Sequence, residues 1–214
     1  MPRRMPRFDL AFQREVDDLL DLVTASEDLR DDVIHGRSNR TRLTLSRLQA
    51  IYELAYLKMF TRWEVFLESA LLRYLCGYQA RHGRPAIHSQ PNHFATIAAA
   101  DAALKHGRAY MLWHNPQHVI DRSRNHLTGC PVEIILAAAT AQIEHCSNIR
   151  HHIAHAQDDA RNKFDSATMH FTGQRYPGAN VGLFLRDVNN AVIPQVRFIR
   201  HLAQLLCALA SQIT

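Results

Sequence analysis

The chain has 214 residues, 47% of them apolar, with a net charge of +5 and a pI near 9.3. This excludes a disordered chain and fits one domain, or one domain with an appendage, whose core needs no staples. No run reaches the ~18 uncharged apolar residues of a membrane span, and no apolar run follows the basic start MPRRMPRFD, so neither a span nor a secretory signal is expected.

The mild positive balance permits a polyanionic partner without demanding one. Cys76, Cys130, Cys146 and Cys207 are far apart and form no C-x-x-C. They read as reduced, mostly buried thiols of a cytoplasmic protein.

In chain order, residues 8–25 place Phe8, Phe12, Val16, Leu19, Leu20 and Val23 at helical spacing, with Asp17, Asp18 and Asp21 outward. Residues 26–42 are polar, contain Gly36, and gather Arg37, Arg40 and Arg42, which predicts a loop. A long helix follows over residues 43–79, because Leu48, Ile51, Ala55, Met59, Trp63, Phe66, Ala70 and Tyr74 step by three or four. Within it Glu64 and Glu68 are an i, i+4 pair of like charge, suited to an exposed face unless one meets an inward cation.

Gly83, Pro85 and Pro91 mark a turn region, and an alanine-rich helix is expected over residues 92–105. Asn115 followed by Pro116 predicts a helix start, with an amide cap and proline at the first helical position. That short helix carries His118, Arg122 and Arg124 and ends near Gly129 and Pro131. From 131 to about 157 a buried stripe is expected at Val132, Leu136, Ala139, Ile143, Cys146, Ile149 and Ile153. Residues 164–182 hold Gly173, Pro177, Gly178 and Gly182 and read as a surface loop. A last helix takes Val192, Val196, Ile199, Leu202, Leu206, Leu209 and Ile213, with Pro194 near its start. The expected fold is all-α, a bundle of about five main helices.

The chemistry concentrates in residues 147–156, SNIRHHIAHA. Asn148, Arg150, His151, His152 and His155 lie within eight residues, and four of the fourteen histidines fall between 144 and 155. At about 100° per residue, Glu144, Asn148, His151 and His155 share one face, opposite Ile149 and Ile153, while Arg150 points about 120–140° away. Arg150 and His155 of one helix therefore do not aim at one phosphate, unless the helix distorts or a two-fold axis brings in a second copy.

Three readings fit these residues. His151 and His155 have the spacing of a zinc pair, but the H-E-x-x-H glutamate is absent and a third ligand must come from elsewhere. Alternatively, histidine moves protons near pH 7 and arginine grips phosphate through two N–H groups, which is acid–base chemistry on a phosphodiester. RNA carries its own nucleophile, the 2′-OH, so that chemistry needs no metal or other cofactor. The third reading is a histidine-rich helix end whose positive charge suits the dipole. Spacing does not choose between the last two.

Arg150, His151 and His155 form R-H-x-x-x-H, which resembles the R-x4-6-H signature of the HEPN superfamily, where the residue after the arginine is commonly Asn, Asp or His. The stretch TRWEVFLESALLRYL, residues 61–75, resembles the early helix of prokaryotic HEPN proteins. The resemblance covers roughly residues 43–214 as one bundle and leaves 1–42, the first helix and the arginine-rich loop, as an appended segment. It implies an all-α bundle of four to five helices and, in many members, metal-independent endoribonuclease activity in toxin–antitoxin or defence systems. The expected products carry a 2′,3′-cyclic phosphate and a 5′-hydroxyl. A homodimer is implied whose two motifs meet in one cleft. Arg150 would then hold and polarise the scissile phosphate, His155 act as general base or acid, and His151 orient or assist. The resemblance assigns nothing to Asn148, which is a candidate only for support behind these residues, and Arg122 and Arg124 are candidate RNA contacts. Some HEPN proteins are not nucleases. The alternative is a non-catalytic binding module acting through a protein partner such as an antitoxin or nucleotidyltransferase.

Overall fold

The computed structural model describes residues 3–31, 33–34, 37–38, 42–81, 86–89, 93–155 and 158–214. Gly36, Arg40, Gly83, Pro85 and Pro91 lie outside them, as does the side chain of Arg37. The fold is an all-α bundle, 70% helical, with nine α-helices among the described residues and a few two-residue strand pairs. No helix there is long and apolar enough to cross a membrane.

The two longest helices are α1, Phe8–Asp31, and α2, Leu45–Leu75. Helix α1 outruns its expected end because the polar residues after 25 are accommodated. Ser26 donates to the Leu22 carbonyl at 2.8 Å, and Glu27 is buried among cations. Helix α3, Ile97–Lys105, starts at the Thr96 cap and ends where His106 takes a left-handed φ of 48°. Helix α4, Pro116–Arg124, begins as expected, with the Asn115 side chain accepting from His118 N at 3.1 Å.

The single helix expected over 131–157 is two: α5, Pro131–Ala138, and α6, Thr140–Ala154. Ala139, at φ −112° and ψ 18°, separates them, and the Thr140 hydroxyl donates to the Leu136 carbonyl at 2.8 Å beside the break. The expected surface loop over 164–182 is also corrected. Helix α7, Asp158–Thr172, buries Ala160, Phe164, Ala167 and Thr168 and opens on Asp158 and Asp159, which suit its dipole. Helix α8, Val181–Arg186, is capped by Asn180. Helix α9, Phe198–Ile213, starts after Val196. Of the expected stripe, Ile153 alone is only half-buried.

The chain divides into two compact units. The first comprises Met1–Phe12, Arg62–Glu144 and Leu206–Thr214. Its core is aromatic at α2, where the Phe12 ring centroid lies 6.0 Å from Trp63 and 5.8 Å from Phe66, all three buried. The buried Tyr74 hydroxyl donates to the Ile213 carbonyl. Glu68 is half-buried; burial and then Asp101 hold its carboxyl above the usual range, with Lys105 opposing.

The second unit comprises Gln13–Thr61 and His145–Leu205. Val16, Leu20, Tyr56, Phe60, Ile149, Phe164 and Phe184 lie in its core, and the Tyr56 hydroxyl donates to the Cys146 carbonyl at 2.9 Å. Helix α8 approaches α2 closely here: Gly182 N donates to Glu53 Oε1 at 3.0 Å. All four cysteines are free thiols; Cys76, Cys130 and Cys146 are buried and Cys207 is half-buried.

Candidate active site

The motif residues occupy the C-terminal end of α6, in the second unit. Cys146 and Ile149 are buried, and this anchors the helix by its apolar side and leaves the motif toward the surface. His155 is the first residue past the helix, yet its N–H still donates to the His151 carbonyl at 3.0 Å. That last turn keeps the i, i+4 relation, and the His151 and His155 ring centroids are 4.7 Å apart. His155 is exposed; His151, Arg150 and Asn148 are half-buried.

His151 faces α7. Its Nε2 lies 4.0 Å from Asp159 Oδ2, and Lys163 Nζ sits 2.6 Å from the same oxygen. Burial, then the charges of Lys163 and His155, hold His151 below its ordinary 6.5, with Asp159 opposing and Arg150 adding a smaller push downward. The imidazole is therefore neutral at pH 7, with a lone pair for a proton. Asp159 stays ionised because the hydrogen bond from Lys163 holds it below its ordinary value.

His152 points elsewhere. Its ring stacks on Phe164, with centroids 5.1 Å apart, and its Nε2 is 3.2 Å from the Ala179 carbonyl. Toward the start of the same helix, His145 stacks on His170 at 4.3 Å. Imidazoles thus serve as flat packing surfaces along the α6–α7 seam as well as at its open end.

The structure brings His151 and His155 together and puts the charge of Arg150 within reach of His151. Arg122 and Arg124 lie in the first unit. Arg124 is engaged there, its Nε 2.8 Å from Glu133 Oε1. Asp159 and Lys163 are the contributors that sequence reasoning missed. Their signal was available: an acidic pair opening a helix, followed by lysine at i+4.

Among the described residues no group of three or more His, Cys, Asp or Glu is placed to hold a metal ion. Compared with protein-family models, curated proteins and solved structures, the chain matches none. What the site does must therefore be argued from its own groups. One neutral imidazole, one exposed imidazole and one guanidinium at a helix end suit proton transfer beside an anion.

Proposed function

We propose that this protein is a metal-independent endoribonuclease of HEPN type, acting as a cytoplasmic homodimer in a toxin–antitoxin or defence setting. The observation that carries the reading is the 4.7 Å pairing of His151 with His155 at the end of α6, with His151 held neutral. Arg150 holds the scissile phosphate through two N–H groups. His155, exposed to substrate, takes the proton of the ribose 2′-OH. The 2′ oxygen then attacks phosphorus, the bond to the 5′ oxygen breaks, and the proton that His155 accepted passes to that oxygen, directly or through His151. The products are a 2′,3′-cyclic phosphate and a 5′-hydroxyl, with no water consumed. His151, steadied by Asp159, orients His155 or relays its proton, and Asn148 supports the pair.

Arg150 and His155 diverge by about 140° on an ideal helix, so each phosphate meets Arg150 of one copy and His155 of the other. The test is cleavage of labelled single-stranded RNA. Arg150→Ala and His155→Ala should each abolish cleavage and leave the helical circular dichroism unchanged. Mixing the two inactive variants should restore one intact pair per heterodimer. DNA of the same sequence should survive, because it lacks the 2′-OH. Activity lost to a chelator and restored by zinc would replace this reading with a metal site.

A binding module is the second reading. It is favoured by the part-burial of Arg150 and by the structural use of His152 on the same helix. It predicts tight capture of an antitoxin-like or nucleotidyltransferase-like protein and no cleavage under any condition.

A further inference from the structure

We infer that the second unit carries a small-molecule site, between α1 and the start of α9, that takes a free α-amino acid with an aliphatic side chain. The site is separate from the α6 motif and does not rest on the nuclease reading.

A cavity of about 280 Å³ lies there. Sites for drug-sized ligands begin at roughly 300 Å³, so this one suits a smaller metabolite. Two helices supply most of its lining. Leu20, Val23, Glu27 and Asp28 recur at i, i+3, i+7 and i+8 and give one face of α1. Arg197, the residue before α9, and Arg200 stand three apart and line the cavity together with Ile199. Tyr52 of α2 joins them.

Glu27 fixes Arg197 in place. Arg197 Nη1 donates to Glu27 Oε1 at 2.6 Å and to the Arg186 carbonyl at 3.2 Å. The same guanidinium lies 5.9 Å from the centroid of the Tyr52 ring. Its Nε and Nη2 make no hydrogen bond among the described residues. Glu27 also accepts from Arg186 at 2.7 Å, so one carboxylate answers two guanidiniums and one positive charge is left over. Arg197 is thus a preorganised donor with N–H groups to spare, which is what holds a carboxylate.

Arg200 and Asp28 decide the ligand class. Both are exposed and line the same cavity from different helices, yet among the described residues neither forms an ion pair. A simple anion would be repelled by Asp28, and a simple cation by Arg197 and Arg200. A molecule that carries both charges satisfies all three, with its carboxylate at Arg197 and Arg200 and its ammonium at Asp28. The first turn of α9 holds no acidic side chain, so its dipole favours the carboxylate end. The buried Leu20, Val23 and Ile199 supply an apolar surface for an aliphatic side chain.

The experiment is isothermal titration calorimetry of the full chain with three probes of one shape. L-Leucine carries both charges, 4-methylpentanoate only the carboxylate, and 3-methylbutylamine only the ammonium. Leucine should bind saturably, and each of the other two at least tenfold more weakly. Arg200→Gln should weaken leucine and 4-methylpentanoate at least tenfold and leave 3-methylbutylamine unchanged. Asp28→Asn should bring leucine down to the level of 4-methylpentanoate, whose own binding should not fall. Both side chains are exposed, so both variants should keep the helical circular dichroism of the wild type.

No saturation by leucine up to about 10 mM would overturn the inference. So would leucine binding that survives both substitutions, or 4-methylpentanoate bound as tightly as leucine by the wild type. RNA cleavage by Asp28→Asn and Arg200→Gln tests the nuclease reading separately, since neither residue belongs to the α6 motif.

Discussion

A carboxylate nearly sealed from water keeps its charge only where donors converge on it, and three converge on Glu27. Tyr52 donates at 2.9 Å, Arg186 at 2.7 Å and Arg197 at 2.6 Å. Burial alone would raise the Glu27 carboxyl, but hydrogen bonds from Arg186 and Tyr52, with the charges of Arg197 and Arg186, outweigh it and hold the group below its ordinary value. Glu27→Gln keeps the volume and leaves two guanidiniums without their counter-charge. It should cost about 2–3 kcal/mol, less than for a fully buried pair, because the Arg197 side chain is 41% exposed. Urea unfolding at pH 7 measures the loss. The sign of the pH dependence follows from the lowered value. This stabilisation is complete above the ordinary 4.5 and is lost as pH falls through the depressed native value, so the variant should show less acid destabilisation than wild type. Nothing around Glu27 in the sequence announced this role, since Tyr52 stands 25 residues away and the two arginines 159 and 170.

Local chemistry made some elements legible and concealed others. The start of α4 was readable because Asn115 and Pro116 settle it between themselves. The long apolar stripe of α2 was readable because no glycine or proline interrupts it before Gly77. The break at Ala139 was not, since alanine favours a helix and only the backbone angles reveal the turn. Helix α7 was misread from its flanking glycines, although Phe164 and Ala167 already sat at helical spacing. At the site, the His151–His155 pairing followed from spacing alone, while Asp159 and Lys163 needed α7 to be seen. Gly182 carried a meaning invisible in sequence. A Cβ there would lie 2.5 Å from the Gln49 carbonyl oxygen, part of the α2 backbone, which cannot swing aside as a side chain would. Gly182→Ala should therefore destabilise the protein by about 1–3 kcal/mol through overpacking. An alanine variant with an unchanged urea midpoint would show that α8 shifts freely against α2.

Fourteen histidines also set how the whole molecule meets acid. His93, His118, His126, His145, His151 and His201 are all held below their ordinary 6.5, with burial the first cause in each. The folded chain therefore keeps them neutral where the unfolded chain takes up protons. Stability from these groups is complete above pH 6.5 and is lost as pH falls through the native values. The urea midpoint should be clearly lower at pH 5.5 than at pH 7.5, before the carboxylates titrate. Equal midpoints at the two values would mean that these imidazoles are protonated as easily in the folded chain as in the unfolded one.

The buried thiols turn the molecule into its own reporter. Cys130 lies in the first unit and Cys146 in the second, both fully buried, and burial pushes the first up to about 11 and the second to about 12. The thiolate is the form that attacks a thiol reagent, so neither sulfur reacts until its surroundings open. Half-buried Cys207 should be modified first and marks the fast phase. With Cys207 and Cys76 both replaced by serine, the slow labelling of Cys130 and Cys146 times the opening of each unit separately. Equal rates that shift together with urea would mean one cooperative opening; a slow and a fast site would mean that one unit breathes while the other holds.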